Sequence, residues 1–295
     1  MADVTDSVFR RVIAEIAKPD VFFTEFTSAD GLAHEKGREK LLINLKYSEL
    51  ERPVVAQIFG SWPDNIKKAA ALCRELGFDG VDINMGCPDR KVEKQGAGAA
   101  LIKNPDLARE VIDAAREGAP DLPISVKTRL GYSRLDEFPD WFSLLLESRL
   151  AAITVHLRTR QEMSKVPAHW HLASQLRELG GKASKLIANG DIEDLADARE
   201  KAEKYNLDGV MLGRAIFGNP WLFTGRAKPD WPEVFRVMIY HATLFEETYK
   251  GIKNFAIMRK FFGAYVAGHP RASELKLALM SCNSASEVSS VLSKF

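Results

Sequence analysis

Short apolar runs separated by polar turns recur along the first three quarters of the chain, at residues 21–24, 54–57, 80–83, 124–127, 153–156, 186–189 and 209–212. Apolar residues fill both faces of each run instead of alternating, which is the pattern of a strand buried on both sides. Residues 65–76, 105–116 and 194–205 carry amphipathic helical spacing between them. Strand, helix, strand at intervals of roughly 25 to 45 residues is the rhythm of a parallel α/β fold.

Polar residues gather at the C-terminal ends of these strands: Gln57, Asn84, Lys127, His156, Asn189 and the pair Gly213 and Arg214. In a (β/α)8 TIM barrel that rim is where the active site is built. A doubly wound open sheet would concentrate its site at one switch point, behind a Gly-x-Gly-x-x-Gly turn. The chain has no such turn and spreads its polar ends over six strands. The expected fold is therefore α/β, a (β/α)8 barrel. Only seven strands are counted, however. Thr5, Asp6 and Ser7 read as a helix cap, followed by Val8, Phe9, Val12, Ile13 and Ile16 at helical spacing. The first barrel strand is thus expected to be missing and to lie before Met1, leaving two exposed sheet edges and a less stable barrel.

After Phe223 the pattern changes. Residues 225–232 (GRAKPDWP) read as a linker, and 233–295 as about four helices. The expected organisation is a barrel over 1–225, a linker over 226–232 and a small C-terminal helical domain over 233–295. Within 253–268, Phe255, Met258, Phe262 and Tyr265 form an apolar stripe. Six basic residues between Lys250 and Lys276, including Lys253, Arg259 and Lys260, face one acid, Glu274.

Composition narrows the class without choosing a function. The 295 residues are 46% hydrophobic and 27% charged, so disorder is not expected, and the net charge of +1 neither requires nor excludes nucleic acid. Cys73, Cys87 and Cys282 are odd in number and far apart, against a disulfide framework or a zinc site and in favour of a reducing, cytoplasmic setting. No run is long enough to span a bilayer, and the first ten residues do not resemble a signal peptide.

Several rim residues can carry chemistry. Asn189-Gly190-Asp191 and Gly213-Arg214 follow adjacent strands, where glycines admit an anion to backbone amides; singly they read equally well as plain turns, together as a phosphate site. Lys127, two residues before Arg129, can stabilise a reduced flavin anion or be a lysine at a strand end. His156, near Arg158 and Arg160, is placed to meet a cofactor or an anionic substrate. Cys73 and Cys282 read as buried hydrophobes, whereas Cys87 lies in a polar rim loop between Gly86 and Pro88. Spacing leaves open whether Cys87 is a nucleophile or an acid.

The runs MADVTDSVFRR, DINMGCPDRKVEKQGAGAALI, SVKTRLG, ITVHLRTR, IANGDI and GVMLGRAIFGNPWLF occur in this order, and with them the chain resembles the tRNA-dihydrouridine synthases along essentially its whole length. The resemblance implies a barrel holding FMN, reduction of the flavin by NADPH, and a helical domain that binds tRNA. Hydride would pass to carbon 6 of uracil and Cys87 would protonate carbon 5. Gln57, Lys127, His156, Asn189, Gly190, Asp191, Gly213 and Arg214 would bind FMN. Asn84, Arg129 and Arg158 would hold the uracil or the flavin edge, and Arg259 and Lys260 would grip tRNA backbone. A monomer in the cytoplasm is expected.

Two departures stand out. Only Met1 remains of the family's Ala-Pro-Met-like strand end, and Leu157 stands where glycine is usual, so it can crowd the cofactor or substrate. Two rival readings share the site: a flavin barrel acting on a free small molecule, like the dihydroorotate dehydrogenases, and an RNA-binding barrel that has lost flavin. The basic helices count against the first.

Overall fold

The strands form where the apolar runs place them, with ends shifted by one or two residues. The structure, a computed structural model, describes residues 4–180 and 184–295. The strands are β1 (Phe22–Phe23), β2 (Thr27–Ser28), β3 (Val54–Phe59), β4 (Gly80–Asn84), β5 (Ile124–Arg129), β6 (Ala152–His156), β7 (Lys185–Asn189) and β8 (Gly209–Met211). All pairings are parallel, in the order β1, β3, β4, β5, β6, β7, β8, with β2 also on β3. β1 meets β3 at Val54 and Val55, and β2 meets it at Ile58 and Phe59. They are two halves of one strand position, broken at residues 24–26, so the expected single strand at 21–24 is shorter and interrupted. The sheet curls into a TIM-like barrel, and among the described residues no pairing joins β8 to β1.

Helices alternate with the strands: α1 (Ser7–Ile16), α2 (Ala29–Ala33), α3 (Glu35–Leu41), α4 (Pro63–Glu75), α5 (Arg90–Glu93), α6 (Pro105–Gly118), α7 (Phe138–Glu147), α8 (Ala173–Gly180) and α9 (Leu195–Lys204). Their starts follow capping chemistry. Asp6 accepts the Phe9 N–H at 2.9 Å to open α1, Asn104 caps α6, and Asp194 accepts the Asp197 N–H to open α9. Buried faces such as Val8, Phe9, Val12 and Ile13 of α1 feed one continuous apolar core.

The C-terminal helices are α10 (Trp231–Tyr249), α11 (Arg259–Tyr265), α12 (Ala272–Leu279) and α13 (Ala285–Leu292). Asp230 caps α10, which therefore begins inside the stretch read as a linker. The stripe over 253–268 is a 3-10 turn (Phe255–Met258) running into α11, and Met258, Phe262 and Tyr265 are buried as expected. These helices share the barrel's core. His241 of α10 stacks on Phe9 of α1 with ring centroids 5.2 Å apart, and Phe261 touches Phe9 and Phe217. Lys253 Nζ lies 3.4 Å from Glu25 Oε2, with the glutamate buried and the lysine half-buried, so this lysine leaves the exposed basic set. No helix among the described residues is long and apolar enough to cross a membrane.

Candidate active site

Register explains how the rim residues meet. In a parallel sheet, register partners on neighbouring strands point to the same face. Gln57 pairs with Asp82, and Asp82 with Ser125. Two residues further up, Asn84 pairs with Lys127. Above that, Arg129 pairs with His156, His156 with Asn189, and Asn189 with Met211. Residues far apart in sequence thus form stacked rows at the C-terminal mouth.

The loop carrying Cys87 is tied down on several sides. Asn84 Oδ1 accepts the N–H groups of Gly86 (3.1 Å) and Cys87 (2.9 Å). Arg129 Nε donates to Gly86 O at 2.7 Å, while its Nη1 donates to Thr159 O and Met163 O at 3.0 and 3.1 Å. Cys87 O accepts Ala99 N–H at 3.0 Å. Gly98 permits that approach, because its φ is +62° and a Cβ there would sit 2.7 Å from Cys87 O. On the outer side Arg160 donates from Nε to Glu93 at 2.8 Å and rests over the Tyr132 ring. Cys87 itself is half-buried, and burial pushes its thiol up, opposed by the Asp89 backbone N–H and by Arg129. Cys73 and Cys282 are buried, as expected.

The mouth is rich in cations. Burial and the charge of Arg129 bring the Lys127 ammonium down to about 8, and its one hydrogen bond among the described residues runs to Asn189 Oδ1 at 3.3 Å. Burial brings Arg129 down to about 10. His156 is held down at about 2 by burial and then by Lys127, Arg129, Arg158 and Arg214, so its imidazole is neutral. Such depressed values mark cations that an anion would stabilise.

The tips of β7 and β8 complete an anion cradle. Asn189 Nδ2 donates to Met211 O at 2.7 Å, and its Oδ1 faces Lys127. Among the described residues the N–H groups of Gly190, Asp191 and Gly213 make no backbone hydrogen bond. Gly190 is required as glycine: its φ is +138°, and a Cβ would lie 2.8 Å from Ala168 Cβ. At Gly213 an added Cβ would meet nothing nearer than 3.9 Å, so the space in front of it is open. Free amides flanked by under-compensated cations fit a phosphate and the anionic edge of a reduced flavin.

The side chains beside the cradle also hold one another. Asp191 accepts from Arg158 Nη2, Arg214 Nη2 (2.8 Å) and the Ala168 N–H (2.9 Å). Its side chain therefore orients Arg158 and Arg214, and only its backbone N–H is free for an anion. Arg158 is buried, with Nε on Val166 O at 2.6 Å and Nη1 on His156 Nε2 at 3.1 Å. Leu157 is fully buried within the apolar core, where it does not crowd the mouth. Away from the mouth, Arg259 Nη2 donates to Asn283 Oδ1 at 2.9 Å, and Lys260 Nζ lies 5.9 Å from the Phe261 ring centroid.

Sequence reading missed Asp82, which is fully buried, accepts Gln57 Nε2 and Ser125 Oγ at 2.8 and 2.6 Å, and is pushed up to about 6 by burial. An acid in the middle of an apolar strand was the available signal.

Solved structures similar in fold include morphinone reductase in complex with tetrahydroNAD (TM-score 0.52, 15% identity, 78% of this chain and 85% of that one). The old yellow enzyme homologue from Zymomonas mobilis is another (TM-score 0.53, 15% identity, 79% and 84%). Both show the fold, a TIM-like barrel. The Dihydrouridine synthase (Dus) family model matches residues 1–295. A probable tRNA-dihydrouridine synthase of Staphylococcus aureus (strain COL) is 43% identical over 300 aligned residues, covering 100% of this chain and 91% of the relative. Probable tRNA-dihydrouridine synthase 2 of Bacillus subtilis (strain 168) is 42% identical with 92% of its length covered. The chain belongs to the dihydrouridine synthase family, a family of oxidoreductases.

Proposed function

We propose that this chain reduces a uridine in the D-loop of tRNA to 5,6-dihydrouridine, with FMN at the barrel mouth, NADPH as reductant and Cys87 as proton donor. The observation that carries the reading is the pairing of a half-buried, protonated thiol with an anion cradle on one rim. Gln57, Lys127, His156, Asn189 and Arg214 would hold FMN together with the backbone of Gly190, Asp191 and Gly213. When bound, the flavin supplies a hydride to carbon 6 of uracil. The negative charge this leaves on uracil is quenched by a proton at carbon 5, and the Cys87 thiol, raised by burial, carries that proton at neutral pH. Arg129 and Asn84 keep the thiol's loop in place, and among the described residues Nη2 of Arg129 and one Nδ2 hydrogen of Asn84 have no partner and would be available to the uracil. Buried Arg158 donates to the neutral His156 ring and shares the Asp191 carboxylate with Arg214.

Residues 233–295 would act as the tRNA-binding domain. Arg259 and Lys260 would touch phosphates, reading shape more than sequence. The target base must leave its stack to reach the mouth.

The test is dihydrouridine in tRNA by mass spectrometry, with the protein and with Cys87→Ala. The variant is expected to stay yellow and to accept hydride from NADPH while making no dihydrouridine. Wild-type levels of dihydrouridine with Cys87→Ala would refute the proton-donor role, and loss of flavin from that variant would make Cys87 structural.

A further inference from the structure

A chain of hydrogen bonds runs from the barrel interior to the Cys87 loop, and its direction is fixed from both ends. At the inner end the ionised Asp82 carboxylate can only accept, and takes Gln57 Nε2 and Ser125 Oγ. At the outer end the N–H groups of Gly86 and Cys87 can only donate, and both go to Asn84 Oδ1. Between them Asn84 Nδ2 donates to Gln57 Oε1 at 3.1 Å. Each amide has one orientation that satisfies both neighbours. Turning either over opposes donor to donor or acceptor to acceptor, which is costly in a buried row. The row is buried throughout: Asp82, Gln57 and Asn84 are 0%, 6% and 7% exposed.

We propose that Asp82 is a positioning residue for Cys87: by accepting from Gln57 it orients the Gln57 and Asn84 amides, and so sets the acceptor that holds the backbone of the Cys87 loop. The inference rests on Cys87 as the proton donor for its functional meaning, but its structural content can be tested without turnover.

Three near-isosteric variants of the full chain decide it: Asp82→Asn, Asn84→Asp and the double substitution. In Asn84→Asp, two acceptor-only groups flank Gln57, and no orientation of its single amide satisfies both. In Asp82→Asn, the new amide can still accept from Gln57 and donate to Ser125 Oγ. The double variant reverses the whole chain and satisfies it again: Ser125 donates to the amide oxygen at 82, that amide donates to Gln57 Oε1, and Gln57 Nε2 donates to the carboxylate at 84.

The readouts are backbone hydrogen exchange at Gly86 and Cys87 and thermal unfolding, both at pH 7.5, where Asp82 is ionised. A carboxylate at 84 still accepts the Gly86 and Cys87 N–H groups, so exchange is expected to rise through easier local opening, by about tenfold, the worth of the one hydrogen bond that Gln57 loses. It should stay within about threefold of wild type in Asp82→Asn and return to that range in the double variant, with a higher Tm than Asn84→Asp alone. A double variant that exchanges as fast as Asn84→Asp, or a silent Asn84→Asp, overturns the proposal. If Asn84→Asp does not fold, recovery of a folded double variant supports the proposal and its failure to fold overturns it. Dihydrouridine formation by Cys87→Ala separately decides the proton-donor role.

Discussion

Lys127 is the cation of the mouth whose charge is easiest to remove. Burial first and Arg129 second bring its ammonium down to about 8, and it donates to Asn189. An anionic ligand beside Nζ favours the protonated form, so binding takes up a proton wherever free Lys127 is neutral. The sign follows. Below pH 8 the ammonium is already present and affinity for FMN is flat. Above pH 8 affinity falls by up to about tenfold per pH unit, or about 30-fold by pH 9.5. Folding stability runs the other way for this residue. Its folded value lies below the ordinary 10.5 of a lysine, so the folded state loses its proton first and is favoured as pH rises from 8 to 10.5. Loss of flavin affinity at pH 9 is therefore not Lys127-driven unfolding. The assay is quenching of FMN fluorescence by titrated protein from pH 7 to 9.5. Lys127→Met should lower affinity at pH 7 by about 10- to 100-fold, the worth of a charge-assisted hydrogen bond, and abolish the slope. A flat wild-type profile, or an unchanged slope in Lys127→Met, refutes the reasoning.

Two further outcomes are expected. Glu51→Leu strands the buried Arg10 guanidinium, whose Nε lies 2.5 Å from Glu51 Oε2 with both side chains at most 1% exposed. Thr5 O and Lys46 O, each at 2.6 Å, still accept from it, and the loss should be about 3–5 kcal/mol by urea unfolding; a loss under about 1 kcal/mol would show that these carbonyls suffice. Arg259→Ala and Lys260→Ala should each weaken tRNA binding and reduce its salt slope by about one, leaving flavin reduction by NADPH unchanged. An unchanged salt slope would remove that residue from the tRNA contact.

The strands were legible because burial on both faces leaves an apolar run, and the rim was legible because polar residues close six of those runs. The break between β1 and β2 was not, since it rests on contacts that no local pattern shows: Thr24 Oγ1 accepts the Gln57 N–H and donates to Glu25 O, and the Glu25 side chain meets Lys253. That same contact lay beyond any count of basic residues, because its partner is more than two hundred positions away in sequence. Asp191 was placed correctly at the mouth, but motif position alone did not reveal that its side chain serves two arginines. Asp82 was overlooked inside a run read for its apolar character, although its register partners Gln57 and Ser125 are both polar.

The shared core of α1, α10 and α11 has a bearing on how a position in a long substrate is chosen. Phe9 is clamped between His241 and Phe261, Ser7 Oγ meets Tyr249 Oη at 2.9 Å, and Lys253 reaches Glu25 beside the broken strand. The helices and the barrel are therefore a caliper with its jaws locked. If the helices bind tRNA as proposed, the mouth stands at one set reach from that contact. Selection among chemically identical bases then becomes a matter of length along the polymer, and changing the spacing means rebuilding the packing around Phe9.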